Sequence, residues 1–410
     1  MAIKTDDVAG ARMLPRTLAG ATVLQIIPAL RESPVARATI DIAQALVRAG
    51  ARAIVAAERG PLVNEIKSFG AEWLPFASTT VNPFRIRRNA DRLETFVADE
   101  RVDIVHAKSA GAAWSALIAT DRDAARLVTD LPDLPRPRMR LAALYLGSLS
   151  RGDRVIARSL FNARPMIERY HIPEVRLTII PRSIDTTVFD PGGVHPQRVA
   201  ALRNTWGVPS GARIVMTPGR VAPWNGQIHL VNAAAALRGR GFEGVTFVLV
   251  GDDRRDRRYG HTIRKKARQA GIEPLFRIVG HVDDMPAAYA AADIVVVPCV
   301  APPVYGRVVA EAQAMARPVI ASSIGPLPEN LLTPPRMPNE LRTGWLVQPA
   351  NEAELADTLA AALALDAQAY RALAARARQF GEFMFSPQRV AAATLAVYSS
   401  LLETGEQKTA

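Results

Sequence analysis

The sequence predicts an α/β protein of two doubly wound domains, each a parallel sheet covered by helices on both faces. Three observations carry that reading. Short apolar runs alternate with helix-period segments from residue 21 to the end, the pattern left by successive βαβ units. The stretch Pro181–Pro196, with Pro191-Gly192-Gly193 inside it, breaks both periodicities and divides the alternation into two series. With 410 residues, 49% hydrophobic and only 6% aromatic, each series is long enough to bury a core of Ala, Val, Leu and Ile.

Taken in order, Ala21–Ile27 reads as the first strand and Ala36–Gly50 as the first helix. Arg52–Ala57 is a strand, the region Pro61–Gly70 a helix, Asp91–Glu100 a helix and Asp103–His106 a strand. Gly111–Ala119 is helical, and Leu127–Thr129, Arg154–Ala157 and Leu177–Ile180 continue as strands. After the break, Arg213–Thr217, Val245–Val250, Phe276–Val279, Ile294–Val297 and Val319–Ala321 read as strands with helices between them. Past Gly344–Val347, helices are expected over Glu352–Leu365 and Ala367–Phe380, and a last amphipathic helix over Pro387–Leu402 behind Ser386 as N-cap. The expected division is a loose leader over 1–20, a first domain over 21–185, a second over 186–385, and a closing helix and tail over 386–410. A ligand cleft is expected between the domains, where strand C-termini face each other.

Composition narrows the function classes. No apolar run approaches the roughly 20 residues of a membrane-spanning helix, and no signal-peptide pattern precedes the first strand, so a cytoplasmic protein is expected. The lone Cys299 excludes an intramolecular disulfide framework and a thiolate metal cluster. The net charge of +12 invites a nucleic-acid reading. However, the clusters Arg85-Ile86-Arg87-Arg88, Arg136-Pro137-Arg138-Met139-Arg140 and Arg254-Arg255-Asp256-Arg257-Arg258 lack interleaved aromatics for base stacking, so no nucleic-acid partner is expected. Anionic lipid surfaces and phosphate-bearing substrates suit the charge better, and a solvated basic surface is the plain alternative. The formal G-x-G-x-x-G at Gly239, Gly241 and Gly244 follows a helix and precedes a strand, the reverse of the dinucleotide arrangement, and reads as a helix stop and turn. No nucleophile elbow and no metal-ligand cluster is visible, so neither covalent catalysis nor a metal is expected.

The richest segment is the strand ending Val295-Val296-Val297-Pro298, the loop Tyr305-Gly306-Arg307, a helix carrying Glu311, and a second strand from Pro318. Gly306 would let backbone N–H groups approach a ligand where the helix opens, and the helix dipole favours an anion there. Glu311, about a turn further on, would accept hydrogen bonds from neutral hydroxyls. Thr217-Pro218-Gly219-Arg220 ends the strand that opens the second domain, where such sheets bind ligands; Arg220 offers a planar fork to a diphosphate. Asn225-Gly226 follows. Val250-Gly251-Asp252 ends the next strand. His106 stands at a strand terminus in the first domain, either as an acceptor-side group or as a hydrogen-bonded histidine of the core edge, with an intrinsic pKa that makes both protonation states accessible.

These motifs resemble the nucleotide-sugar site of family 4 glycosyltransferases of the GT-B fold, strongly from Pro218 to Val347 and more weakly over the rest of 21–403. The resemblance implies a GT-B architecture whose last helix returns to the first domain. It also implies a retaining transfer of a hexose from a nucleoside-diphosphate sugar to a glycan or lipid-linked acceptor in envelope polysaccharide or lipopolysaccharide synthesis. Peripheral contact with the inner membrane goes with that role. No cofactor is implied beyond the donor substrate. Carried onto this chain, Arg220 and His106 are the catalytic candidates, and Gly219, Asn225, Gly251, Tyr305, Gly306, Arg307 and Glu311 the donor-binding ones. Three positions depart from the family: Pro303 stands where the first of two glutamates is usual, Asn225 where a lysine is, and Pro132 at the position of a histidine. The departures keep a second reading open, a catalytically weakened protein that binds a nucleotide or glycan as a regulatory subunit. An epimerase or a phosphorylase of the same fold is a further alternative, the latter requiring a pyridoxal lysine site that the sequence does not show.

Overall fold

The computed structural model describes residues 18–120, 125–131, 140–254 and 256–406. Most of the expected leader, Pro132, Arg136, Arg138 and Arg255 lie outside the described residues. The first half alternates β1 (Thr22–Ala29), α1 (Pro34–Arg48), β2 (Arg52–Glu58), α2 (Val63–Ser68), β3 (Glu72–Pro75), α3 (Pro83–Asp99), β4 (Ile104–Ala107), α4 (Ala110–Ala119), β5 (Arg126–Asp130), α5 (Arg140–Leu146), β6 (Arg154–Ala157), α6 (Leu160–Tyr170) and β7 (Leu177–Ile179). The second half continues with α7 (Pro196–Thr205), β8 (Arg213–Pro218), α8 (Gln227–Gly239), β9 (Val245–Val250), α9 (Arg257–Gln269), β10 (Phe276–Gly280), α10 (Met285–Ala291) and β11 (Ile294–Val297). It closes with α11 (Arg307–Ala314), β12 (Val319–Ser322), β13 (Gly344–Val347), α12 (Glu352–Leu363), α13 (Ala367–Phe385) and α14 (Pro387–Glu406).

Two compact units result. Unit 1 holds the chain up to Arg158, Asn162–Arg182 and everything from Pro387, so α14 returns to the first unit; unit 2 holds Ser159–Phe161 and Ser183–Ser386. The sheet of unit 1 runs β3-β2-β1-β4-β5-β6-β7 and that of unit 2 runs β10-β9-β8-β11-β12-β13, with parallel pairing throughout. Both strand orders reverse at the first strand of the unit, the signature of a doubly wound sheet.

The side-chain alternation shows why both faces must be covered. Val23 and Ile27 of β1 join one core while Leu24 and Ile26 join another. In unit 2, Ile214 and Met216 of β8 enter one core and Val215 the other. Successive side chains leave a strand on opposite faces, so a strand apolar on both faces is stable only between two helical layers. On one of those layers α1 turns Ala36, Ile40, Ala43 and Leu46 inward at helical spacing, and α14 packs beside it through Leu395, Tyr398 and Leu401.

Helices α5 and α6 were not in the sequence reading, and three further elements depart from it. Helix α3 begins at Pro83, eight residues before the expected Asp91, because the Asn82 side chain accepts from Phe84 N at 2.9 Å and Arg85 N at 3.3 Å and Pro83 fits the first turn. Strand β3 was not expected; Glu72–Pro75 is a short half-buried edge strand against β2 and carries no apolar alternation. Helix α13 runs past the expected Phe380 through Gly381, where a Cβ would lie 3.0 Å from Ala314 N. That glycine is a close approach to α11 rather than a helix stop.

Candidate functional site

In unit 2 the loops leaving β8 and β11 diverge from neighbouring strands, since β8 continues to β9 on one side while β11 lies on the other. Such a switch point opens a crevice at the strand C-termini. The two loops are joined directly. Val300 N donates to Trp224 O at 2.9 Å, Cys299 Sγ donates to Asn225 Oδ1 at 3.7 Å, and Gly226, at φ +68°, would place a Cβ 1.9 Å from Pro298 O. Only glycine fits that approach. On the other flank Gly219 N donates to Val250 O at 2.8 Å, and a Cβ on Gly251 would sit 2.1 Å from Gly219 O. Gly219, Arg220, Asn225 and Gly251 therefore belong to one cradle built from the ends of β8, β9 and β11.

Within the cradle the Arg220 backbone is fixed and its side chain is not. Asn225 Nδ2 at 2.8 Å and Gln227 Nε2 at 2.9 Å both donate to the Arg220 carbonyl. The guanidinium is exposed and makes no hydrogen bond or ion pair among the described residues. Asn225, expected to offer its amide to a ligand, holds the loop instead. Gln227 escaped the sequence reading; its position directly after Gly226 is the signal that could have found it.

The second half of the site is the start of α11. Gly306 is its N-cap with no side chain capping it, and a Cβ there would meet Asn330 Nδ2 at 1.9 Å. Glu311 differs from the open acceptor expected of it. It is 5% exposed, Oε1 accepts from Arg307 Nε at 2.5 Å and Oε2 accepts from the Tyr289 hydroxyl at 2.9 Å. Burial raises its pKa, with the Arg307 charge opposing. Arg307 also hydrogen-bonds the Tyr305 side chain. Tyr305, Arg307, Glu311 and Tyr289 thus form one chain of polar contacts from the loop to α10. Glu311 can take a ligand hydroxyl only by sharing its oxygens or exchanging Arg307.

His106 is corrected more sharply. It lies in unit 1 on β4, 1% exposed, with Nε2 2.9 Å from Asp130 Oδ1 and Nδ1 2.6 Å from the Tyr398 hydroxyl of α14. Burial pulls its pKa down to about 4 against the pull of Asp130. The neutral ring then has one consistent arrangement: Nε2–H donates to the Asp130 carboxylate and Nδ1 accepts from Tyr398 O–H. Burial alone would raise Asp130, but Arg158, which also donates to it, holds it well below the usual carboxylate range. Beside this cluster Lys108 Nζ donates to Gln25 Oε1 and Thr39 Oγ1, each at 2.9 Å, and burial brings its pKa to about 7. His106 is therefore a bolt between sheet and returning helix, with no open side toward a ligand. Tyr398 was also missed, although it is the polar member of the stripe Ala391, Leu395, Tyr398, Leu401.

The Glycosyl transferases group 1 family profile matches residues 212–364 and the Glycosyltransferase Family 4 profile matches residues 35–188. The chain belongs to the GT-B glycosyltransferases of family 4 type. Among relatives of this family, the D-inositol 3-phosphate glycosyltransferase of Salinispora arenicola is 32% identical over 206 residues, 48% of this chain and 45% of that one. The protein of the same name from Corynebacterium efficiens is 30% identical over 201 residues, 48% and 45% respectively. The chain spans about half the length of the curated relatives it matches. A glycosyltransferase from Rickettsia africae is 27% identical, with a TM-score of 0.75 over 94% of this chain and 99% of that one. Anabaena HepE in complex with UDP, at 21% identity and a TM-score of 0.67 over 95% and 100%, shares the fold. Among the described residues no helix is long and apolar enough to cross a membrane.

Proposed function

We propose that this GT-B protein transfers a hexose from a nucleoside-diphosphate sugar to a glycan or lipid-linked acceptor with retention, on the cytoplasmic side of an envelope-polysaccharide or lipopolysaccharide pathway. The observation that carries the reading is the pairing of a fixed backbone and an unpaired guanidinium at Arg220 with the uncapped start of α11, in loops tied together by Gly226 and Pro298. A departing diphosphate needs preorganised positive charge. Arg220 supplies it as a fork and the α11 N-terminus as backbone donors. As the bond from the anomeric carbon to the phosphate oxygen breaks, the acceptor oxygen bonds to that carbon from the same face, and the acceptor proton passes to the leaving phosphate. Arg307, held by Glu311, sits where the helix opens and orients the nucleoside end. His106 has no part in this chemistry beyond packing, and the reading needs no cofactor.

UDP, the ligand of the Anabaena neighbour, is the first diphosphate to test. At 100 times its dissociation constant a ligand adds about 2.7 kcal/mol of stability, a clear rise in melting temperature. No rise with uridine, guanosine, adenosine or thymidine diphosphate would sink the donor site, and an inverted anomeric proton in the NMR spectrum of the product would sink retention. The weakened-binder reading keeps two specific supports: Pro303 stands where the family has a carboxylate, and the Asn225 amide holds the Arg220 carbonyl instead of adding a charge. Diphosphate binding without transfer from any donor would select it.

A further inference from the structure

The basic run on either side of Asp256 is not used by the donor site. Helix α9 carries no carboxylate, and it buries Gly260, Ile263 and Ala267 in unit 2. At helical spacing that leaves Arg257, His261, Arg264 and Arg268 in one exposed row, with Arg258 and Lys265 in the row beside it. The carboxylates that flank the helix are already engaged. Asp253 pairs with Arg264 at 3.1 Å and Glu273 with Arg268 at 2.7 Å, Asp256 caps the helix by accepting from Tyr259 N at 3.1 Å, and Asp252 Oδ1 accepts from Arg254 N at 3.2 Å. The side chains of Arg254, Arg257, Arg258, His261 and Lys265 make no hydrogen bond or ion pair among the described residues. Helix stability does not account for them: the N-terminal end of a helix dipole disfavours cations, yet Arg257 and Arg258 occupy the first turn and no acid does.

We infer that the exposed face of α9 binds an acidic glycan, a chain bearing uronate or phosphate groups. The row of cations repeats about every 5.4 Å, one helical turn, so its charge runs along a line that suits a linear polyanion rather than a single phosphate. Arginine forks pair with carboxylate and phosphate oxygens alike. The face offers nothing else. Its exposed positions include no apolar side chain to enter a bilayer or to anchor a protein partner, and no ring to stack on a base. Tyr259, the one aromatic residue of the helix, is half-buried and its hydroxyl accepts from Ile228 N at 3.1 Å. The line begins beside the cradle, where Val221 N donates to Asp252 O at 3.1 Å, so a chain held along α9 has one end next to the Arg220 loop. The inference rests on the glycan-acceptor part of the proposed function and adds the acceptor's charge to it.

The test is binding of the full chain to immobilised polygalacturonate, with neutral dextran as the control, at low and high salt. Binding should need the acidic polymer and weaken with salt. Arg257→Gln with Arg258→Gln should weaken it about fivefold, the loss of two exposed ion pairs in the middle of their usual range, with no fall in melting temperature. Arg85→Gln with Arg88→Gln removes the same charge from a basic cluster of unit 1 and should change nothing. Equal binding to dextran, no binding to polygalacturonate, no loss in the α9 variant, or an equal loss in both variants would each overturn the proposal. So would tighter binding of double-stranded DNA at the same salt, which would assign the face to nucleic acid. Stabilisation by UDP is read on the same proteins without glycan. A UDP response without polygalacturonate binding overturns this inference alone, whereas polygalacturonate binding through α9 without a response to any nucleoside diphosphate sinks the donor site and leaves the glycan surface standing.

Discussion

Acid should weaken unit 1 through His106, by an amount the burial of the ring fixes. The ring titrates at about 4 in the folded protein against an ordinary 6.5. Above pH 6.5 it is neutral in both states and its contribution to stability is fully present. As pH falls, the unfolded chain takes up the proton first, so that contribution is lost on the way down to the folded pKa. Linkage gives a loss of about 2 kcal/mol by pH 5 and about 3 kcal/mol by pH 4, and at 1% exposure solvent screening takes little from it. Asp130, whose pKa is depressed from 3.8, adds its loss only below that value, outside the upper part of the window. His106→Gln offers a donor and an acceptor but takes no proton. The assay is urea unfolding at pH 7 and pH 5, with hydrogen exchange of β4 and β5 amides reporting on unit 1. At a slope of about 2 kcal/mol per molar urea, the wild-type midpoint should fall about 1 M further than that of the variant. An equal fall in both proteins, or none in the wild type, would refute the assignment of a neutral His106 between Asp130 and Tyr398.

Arg220→Ala should cut turnover by about 10²–10³, the scale for one preorganised donor, with an unchanged melting temperature; a loss below threefold would mean that the exposed guanidinium does not meet the diphosphate. Asn225→Lys adds a charge but removes a hydrogen bond to the Arg220 carbonyl. Diphosphate affinity by calorimetry should rise while stability falls by about 1 kcal/mol, and a rise with no fall would deny the loop-holding role. Glu311→Ala leaves the buried Tyr289 hydroxyl without its acceptor, a cost of about 1–3 kcal/mol. In a Tyr289→Phe background most of that cost should vanish, and additive urea-derived costs would show that the contact does not matter. Gly226→Ala forces a Cβ against Pro298 O at a left-handed φ, so it should abolish UDP stabilisation; a retained shift would show that the two loops act separately.

How far the sequence carried depends on what each feature is encoded by. Strands and most helices were legible because their signal is periodic and local: β1, β8 and β11 are apolar on both faces, whereas the start of α3 was misplaced because the Asn82 cap went unread. At Gly251 a backbone approach to Gly219 O excludes every other residue, while at Gly306 the crowding comes from the Asn330 side chain. The packing of Gly381 against α11 was not legible, since nothing local in the sequence marks a close-packed glycine inside a helix. The polar candidates obeyed a different rule. A strand-end position says where a side chain starts, but its freedom to meet a ligand depends on partners brought from elsewhere. His106 is held by Tyr398, 292 residues away. Glu311 is held by Tyr289 across to α10, and Asn225 by a backbone carbonyl five residues back. Arg220 alone among these four strand-end and helix candidates keeps an unpartnered charged group. Asn225 and Gln227 bond its carbonyl, and its side chain is exposed. The residue that departs from the family at position 225 therefore holds the backbone of the cation that the proposed chemistry requires, and replacing Asn225 with alanine should lower turnover through Arg220 while leaving the net charge of the loop unchanged.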